Sequence, residues 1–388
     1  MFFVIAFIVM SITYSWVGWR LIKPLASGSS WRWVVVAVLA VQFVSVFASF
    51  AILRSLGPGG WAAPLYWLAY GGLGLVSLVF TGMVVIELGW VSARVSDKLV
   101  GTRAVPVDED RRLFLRRSFN LGVLGLAGTA GAYGFWHARR DPAVVTVDVP
   151  IADLPDELNG YRIIQISDTH LGPTLSGAFL RRVVKLVNGL EADMVAVTGD
   201  LVDGSTEHLL QHVEPLTDLA NRDGTFFVTG NHEYYSGAEP WCRTVVGLGV
   251  NVLNNSHAII ERGTSKLMVA GVTDYRAHTI LPAHRSDPAA AVSDAPDCNV
   301  RLLLAHQPKS CFAAKPHGFD LQLSGHTHGG QFFPWNFVVG RFHPFVKGLN
   351  RWGRGWVYVN RGTGYWGPPM RIGVPSEITQ LTLRKMRS

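Results

Sequence analysis

Residues 161–170 read Tyr-Arg-Ile-Ile-Gln-Ile-Ser-Asp-Thr-His. The run Tyr161–Ser167 is short, apolar and rich in isoleucine, the mark of a buried strand. An acid and an imidazole, Asp168 and His170, follow it at once. The same construction recurs downstream. Asp193–Val197 (DMVAV) leads into Gly199-Asp200-Leu201-Val202-Asp203, and Thr225–Val228 (TFFV) leads into Gly230-Asn231-His232-Glu233. Val300–Ala305 ends at His306, and Leu321–Leu323 precedes Gly325-His326-Thr327-His328-Gly329-Gly330. Between these runs, Phe179–Leu190 and Glu207–Leu219 carry apolar residues at helical spacing. Further strands are expected at Lys266–Val272, Trp356–Val359 and Ile378–Leu383. Strands alternating with helices predict an α/β fold with βαβ units, and the strand-rich second half predicts a second sheet packed on the first.

Ligands in open α/β sheets sit beyond the carboxyl ends of the strands. Five strand ends here offer Asp168, Asp200, Asp203, Asn231 and five histidines to one region. Any one of these groups alone reads as a turn or a structural residue. Five in order, each closing an apolar strand, are hard to explain by turns, because clustered carboxylates and imidazoles are costly unless paired or bound to metal. Two long loops, Thr273–Cys298 and Gln331–Trp356, are expected to border the cleft. The second holds Phe332, Phe333, Trp335, Phe337, Phe342, Phe345 and Trp352 together with Arg341, Lys347, Arg351 and Arg354. Such a loop suits an amphiphilic phosphate substrate near lipid headgroups. The competing expectation is that its aromatics pack the second sheet.

The order D-x-H, G-D-x-x-D, G-N-H-E, H and G-H-x-H resembles the calcineurin-like metallophosphoesterase family over about residues 143–388. The ending Val359-Asn360-Arg361-Gly362-Thr363-Gly364 and Pro375-Ser376-Glu377-Ile378 is similar to the branch of membrane-associated or exported bacterial phosphoesterases. Some members of that branch have several N-terminal transmembrane helices, and some relatives cleave lipid-linked sugar nucleotides. The resemblance implies a four-layer αββα sandwich with two metal ions. One would be held by Asp168, His170, Asp200 and His328, the other by Asp200, Asn231, His306 and His326, with Asp200 as the bridge. His232 would protonate the leaving oxygen, and Asp203 would orient it and keep it charged, with Glu233 a second candidate for that support. Mixed oxygen and nitrogen donors without thiolate suit Mn²⁺, Fe or Zn²⁺. Two such ions, roughly 3.5–4 Å apart, generate a hydroxide at neutral pH and clamp an in-line displacement at phosphorus.

The other half of the chain has a different chemistry. Over all 388 residues the net charge is +7, and only 16% of residues are charged, against about 25% in a soluble domain. Residues 1–140 carry 13 Lys and Arg against 5 Asp and Glu, a net of +8; the remaining 22 and 23 leave residues 141–388 at −1. Eight of the 13 Trp fall in the first part and 12 of the 13 His in the second. The chain is therefore expected to divide into a membrane region, 1–140, and a catalytic domain, 141–388. Nucleic acid is not an expected partner, because binding it calls for a basic face on the catalytic half.

Four apolar stretches, roughly 2–19, 33–53, 63–89 and 119–136, approach the ~20 residues of a membrane-spanning helix. Trp16, Trp19, Trp31, Trp33, Trp61, Trp67, Trp90 and Trp136 cluster at their ends, as interfacial aromatics do. The first loop holds Arg20, Lys23 and Arg32, and the second holds Arg54. The third, 91–118, holds Arg94, Lys98, Arg103, Arg111, Arg112, Arg116 and Arg117. Positive loops stay in the cytoplasm, so four spans would place the catalytic domain on the periplasmic or extracellular side of the cell membrane. Arg116-Arg117-Ser118-Phe119 resembles a twin-arginine signal, but Asn120 and Leu121 match it imperfectly, and a positive-inside flank accounts for the pair. Three cysteines, Cys242, Cys298 and Cys311, are too few for a disulfide framework. The expected function is a membrane-anchored phosphodiesterase or pyrophosphatase acting on a lipid-like or nucleotide-linked phosphate ester. The alternatives are a phosphomonoesterase or protein phosphatase of the same superfamily, and a non-catalytic scaffold or sensor that keeps the metal site.

Overall fold

The computed structural model describes residues 2–56, 62–101 and 108–386. Trp61, Arg103 and the side chain of Arg54 lie outside the described residues. The chain divides into two compact units, one made of four helices with Gly367–Met370 and the other of His137–Trp366 with the chain from Arg371 onward.

The helical unit contains α1 (Phe2–Ile22), α2 (Trp31–Leu56), α3 (Ala63–Val100) and α4 (Glu109–Ala138). Three of them hold segments long and apolar enough to cross a bilayer: Val4–Ile22, Trp31–Leu53 and Ala63–Val100. Where four spans are expected, four helices form; α4 has the length, but its Gly-rich stretch Phe119–Trp136 is less apolar than the others. The basic segment 91–118 is expected as a loop and is instead largely helical. Val91–Val100 contains neither Gly nor Pro, so α3 continues until Gly101, whose left-handed φ of 71° closes it with a bond from Gly101 N–H to Asp97 O. Asp108 then starts α4 by accepting the Arg111 N–H at 2.9 Å, with Glu109 and Asp110 in the first turn.

Val17, Met83 and Val123 form a buried contact among α1, α3 and α4. Some of the polar groups buried here meet partners across helices, while Arg20 Nε and Asn120 Oδ1 have none among the described residues. Arg20 lies 3.3 Å from Glu87, Asn120 Nδ2 donates to Arg20 O at 3.0 Å, and Gln42 Nε2 donates to Ala69 O at 2.9 Å. Large apolar side chains such as Ile12, Trp33, Val44 and Leu126 face outward and exposed, a surface suited to lipid rather than water.

The second unit is a sandwich of two six-stranded sheets. Its elements are β1 (Ala143–Ile151), β2 (Arg162–Ile166), α5 (Gly177–Asn188), β3 (Met194–Val197), α6 (Thr206–Val213), β4 (Thr225–Phe227), α7 (Asn231–Ser236), α8 (Ala238–Gly247), β5 (Asn251–Val252), β6 (Ser256–Arg262), β7 (Ser265–Gly271), β8 (Val300–Leu304), β9 (Leu321–Ser324), β10 (Gly348–Trp352), β11 (Gly355–Val359) and β12 (Glu377–Lys385). The first sheet runs β1-β12-β2-β3-β4-β5 and the second β10-β11-β9-β8-β7-β6. β2 to β5 are parallel, as are β7, β8, β9 and β11, so their carboxyl ends point the same way within each sheet.

Side-chain alternation builds the layers. Ile163, Met194 and Ala196 face the second sheet, where they meet Leu267, Val269, Leu302, Leu304, Leu321 and Leu323. Their neighbours Ile164, Ile166, Val195 and Val197 face the other way, onto Leu180, Val183 and Val187 of α5 and Trp241 and Val245 of α8. On the far side of the second sheet, Met268, Ala270 and Leu303 pack under the short helices Pro288–Ala291 and Ser310–Ala314. The result is the expected αββα order. Two local expectations change. The helix expected over Glu207–Leu219 is α-helical only to Val213 and then tightens into a 3₁₀ turn, Glu214–Asp218, because Pro215 has no N–H to continue the ladder. The loop expected over Gln331–Trp356 ends in strand β10, which pairs antiparallel with β11.

Candidate metal centre

Each group read from the sequence stands just beyond a strand: Asp168 and His170 after β2, Asp200 and Asp203 after β3, Asn231 and His232 after β4, His306 after β8, His326 and His328 after β9. Five of these residues carry a left-handed backbone, with φ of 53° at Asp168, 46° at His170, 51° at Asp200, 70° at His326 and 49° at His328. Non-glycine residues avoid that region, and holding one there costs on the order of 1–3 kcal/mol. Five at one end of a sandwich mean that the surrounding packing dictates where these side chains point. Close approach needs glycine as well. A Cβ on Gly325 would strike Ser167 Oγ and the Asp168 carboxylate, and one on Gly199 would meet Gly230 and the His306 ring.

The side chains converge in three sets. Asp168, His170 and His328 offer ligand atoms within 4.8 Å of one another, as do Asp200, His306 and His326, and as do His170, Asp200 and His232. Asp200 joins the sets, lying 3.1 Å from His306 Nε2 and 3.7 Å from His170 Nε2. His328 Nε2 is 3.4 Å from Asp168 Oδ1 and 3.1 Å from His170 Nε2.

The donor set fits divalent cations. His306 Nδ1 donates to Thr198 O at 2.8 Å, and His170 Nδ1 donates to Asp203 Oδ1 at 2.9 Å. Each ring therefore turns its Nε2 toward the cluster, which is how second partners orient a histidine for metal. Burial opposes charge on His306, but the Asp200 carboxylate outweighs it and lifts its pKa well above the ordinary value. Asn231 Oδ1 is buried with no hydrogen-bond partner, a lone pair that calls for a cation. Burial and neighbouring imidazoles hold His326 and His328 well below their ordinary pKa, in the neutral form a metal requires. Burial opposes ionisation of Asp200, but the imidazoles of His306 and His232 more than offset it and hold the carboxyl well below its usual range.

His232 sits beside this cluster. Its N–H donates to Asp200 Oδ1 at 2.8 Å, and its ring Nδ1 lies 2.6 Å from Asp203 Oδ1. Burial lowers its pKa, yet the carboxylates of Asp200 and Asp203 outweigh burial and lift it to about 9. Asp203 thus holds two imidazoles, His170 and His232. Glu233 adds a smaller share to the raised pKa of His232, but its hydrogen bonds go elsewhere. Its carboxylate accepts Asp200 N at 3.0 Å, Leu201 N at 2.7 Å and Gly230 N at 2.6 Å, stapling the β3 and β4 loops together from behind.

Two residues here had no signal in the sequence. Arg371 is 1% exposed. Its guanidinium donates to Arg361 O at 2.7 Å, Gly362 O at 3.2 Å and His328 O at 3.3 Å, and also to Gly364 O. The segment it grips reaches the metal loop directly, through Thr363 N to Ser167 O at 2.7 Å and Gly364 N to Asp168 O at 3.0 Å. Glu377, also buried, accepts from Arg361 Nε and from Tyr358 OH at 2.8 Å, so the ending Asn360–Gly364 and Glu377 is a scaffold for Asp168 and His328. Arg371 is a lone basic residue in a Gly/Pro-rich loop, which no spacing rule singles out. His343 is the second: its ring lies edge-on to His326 at 5.0 Å, with Nδ1 buried and without a partner.

Carboxylates, imidazoles and an unpartnered amide oxygen gathered at one point, beside an imidazole held on a carboxylate, define a divalent-metal centre of the kind that hydrolyses phosphate esters. Residues 161–330 match the family described as calcineurin-like phosphoesterase. A transmembrane protein with metallophosphoesterase domain from Danio rerio is 40% identical over 279 residues, covering 69% of this chain and 64% of that protein. One of the same description from Bos taurus is 34% identical over 376 residues, covering 91% of this chain and 80% of that protein. A solved calcineurin-like phosphoesterase of Bacillus subtilis aligns over 51% of this chain and 87% of its own, with 16% identity and a TM-score of 0.35. The chain belongs to the metallophosphoesterase family, whose members are phosphoester hydrolases dependent on divalent metal.

Proposed function

We propose that this chain is a membrane-anchored phosphoesterase that uses two divalent ions, Mn²⁺, Fe or Zn²⁺, to cleave a phosphodiester or diphosphate bond in a lipid-like or nucleotide-linked substrate. The observation that carries the lipid-like reading is the loop after His328. Of its seven aromatics, Phe332 is buried, and Phe345 and Trp352 pack on Cys311, Val357 and Val359. Phe333, Trp335, Phe337 and Phe342 remain exposed, by 40% to 74%. Exposed aromatics grouped on one short segment beside a polar site mark an amphiphile-binding rim.

Asp168, His170, Asp200 and His328 would hold one ion, and Asp200, Asn231, His306 and His326 the other. Ions bound there would supply a nucleophile at neutral pH and charge for the phosphoryl oxygens. The chain's own contribution is orientation and a proton. With Nδ1 fixed on Asp203, His232 presents its Nε2 proton to the leaving oxygen, and the carboxylates around it keep that proton in place at neutral pH. The Mn²⁺-loaded chain in detergent is expected to cleave bis-p-nitrophenyl phosphate and a lipid-linked diphosphate. Cleavage of neither sinks the reading in favour of a scaffold or sensor, and cleavage of phosphomonoesters alone moves it to a monoesterase or protein phosphatase.

The basic charge of 91–118 supports a cytoplasmic position for that segment. If α4 crosses the cell membrane, the sandwich then lies on the periplasmic or extracellular side. An impermeant protease added to spheroplasts should degrade the sandwich; its survival until the cells are lysed would place it inside.

A further inference from the structure

Two large rings stand against His232, and neither is among the proposed metal ligands, although Tyr235 shares a side-chain hydrogen bond with Asn231. Tyr235, one helical turn on in α7, has its ring centroid 5.3 Å from the imidazole at an interplanar angle of 69°. Trp366 has its centroid 5.6 Å away at 73°. Both face solvent: Tyr235 is 67% exposed and Trp366 48%. Their neighbourhood shows that this exposure is built in. Tyr234 is buried and lies 3.0 Å from His284 Nδ1 through its hydroxyl, so the helix seats one tyrosine and offers the other. The Trp366 backbone is clamped by a buried amide. Gln331 Nε2 donates to Trp366 O at 3.0 Å, and Gln331 Oε1 accepts Trp366 N–H at 2.9 Å. Gln331 itself sits in the left-handed region at φ 57°. A strained residue and a buried side chain thus fix the position of an indole that leaves nearly half its surface in water, next to the proposed proton donor.

We propose that Tyr235 and Trp366 form a leaving-group subsite, and that the group departing past His232 carries a planar ring that stacks on them. The inference rests on the reading of His232 as the acid of a diphosphate- or diester-cleaving enzyme, and it names the chemistry on that side of the scissile bond. Tyrosine and tryptophan give large, rigid contact area with little rotamer entropy to lose. Stacking of a ring on such a side chain changes affinity by about tenfold or more when the side chain is cut to alanine. A small alkyl leaving group would leave both rings bare.

The test uses two diphosphates that share one half: P1-hexyl P2-uridyl diphosphate and P1,P2-dihexyl diphosphate, each given to the Mn²⁺-loaded full chain in detergent. The wild-type chain should favour the uridyl compound. Trp366→Ala should lower the uridyl-to-dihexyl ratio of kcat/KM about tenfold, mainly through KM, and Tyr235→Ala should lower it less. Trp366→Phe should restore most of the ratio, because it keeps a ring. An equal loss on both compounds, or no change in the ratio, overturns the subsite while leaving the hydrolase reading intact. Equilibrium binding of UMP and hexyl phosphate separates the two ideas in the other direction. If neither diphosphate is cleaved but Trp366→Ala weakens UMP about tenfold and hexyl phosphate not at all, the rings bind a planar group but the hydrolase reading falls, and with it the leaving-group role of the subsite. If UMP binding is also unchanged, the subsite falls with it.

Discussion

The helical unit and the sandwich differ in where they bury polar groups: scattered along the helices, with Arg20 Nε and Asn120 Oδ1 left unpartnered there too, and crowded at one end of the sandwich. In the helices, Arg20 meets Glu87, Asn120 meets the Arg20 carbonyl and Gln42 meets Ala69, each pair joining two helices that carry mostly apolar surface. In the sandwich, buried acids, amides and imidazoles crowd one end of the sheets, share partners, and leave Asn231 Oδ1 with none. Paired polar groups hold helices in register; a shared and incomplete set stores the capacity to bind something else. The comparison therefore ranks residues. Changes at the crowded end should abolish chemistry, while changes at the isolated pairs should alter stability alone.

Asp200 should give the largest effect, since the proposed function places it in both ligand sets. Asp200→Ala is expected to reduce activity on bis-p-nitrophenyl phosphate below about a thousandth of wild type and to lower bound metal per chain, measured by elemental analysis. Retention of both metal and turnover would break the comparison at its centre. His232→Ala should come next. It is expected to lower kcat by about 10²–10⁴-fold with metal content unchanged, because the proposed function makes His232, held by Asp203 and Asp200, a proton donor and not a ligand. Loss of metal in that variant would move His232 from proton donor to ligand.

The same contrast explains what the sequence could and could not show. Every strand inferred from an apolar run lies inside a sheet: β2, β3, β4 and β12 in the first, β7, β8, β9 and β11 in the second. The four strands that were not read, β1, β5, β6 and β10, are the four sheet edges. An interior strand is covered on both faces and reads as a continuous apolar run, whereas an edge strand is partly wet and interleaves residues such as Asp148, His257, Glu261 and Arg351. The site divides along a similar line. Residues that follow a strand by two to six positions are legible because the strand supplies a frame. Arg371 and Trp366 act through a loop whose path only the fold determines, and Gln331 acts through a backbone angle that its side chain does not advertise.

Arg371 tests whether that hidden support belongs with the crowded end. Its guanidinium satisfies four carbonyls behind His328 and the Asp168 loop, and burial pushes its pKa down to about 9. Arg371→Met would leave those carbonyls buried and unpaired, at a cost of about 3 kcal/mol and about 10 °C in Tm for a domain of this size. Metal affinity by calorimetry should weaken as well, because His328 and Asp168 lose their backing. Arg371→Lys should rescue little, since one ammonium cannot span four acceptors in a plane. A variant with lowered Tm but unaltered metal affinity would make Arg371 a fold residue only.

The Arg20–Glu87 pair should give the smallest effect. Glu87 is partly open, with its side chain 35% exposed, while Arg20 is 6% exposed. Either single change, Arg20→Met or Glu87→Gln, removes one attraction between α1 and α3 but touches no group at the metal centre. The double-mutant coupling in a detergent unfolding experiment is expected near 0.5–1 kcal/mol, with kcat/KM on bis-p-nitrophenyl phosphate within twofold of wild type. The two readouts answer different questions. A coupling near zero would mean that apolar packing of Val17, Met83 and Val123 already fixes the helices. A fall in kcat/KM of tenfold or more would mean that the helical pair bears on turnover, and the division between architecture and chemistry would no longer follow the division between the two units.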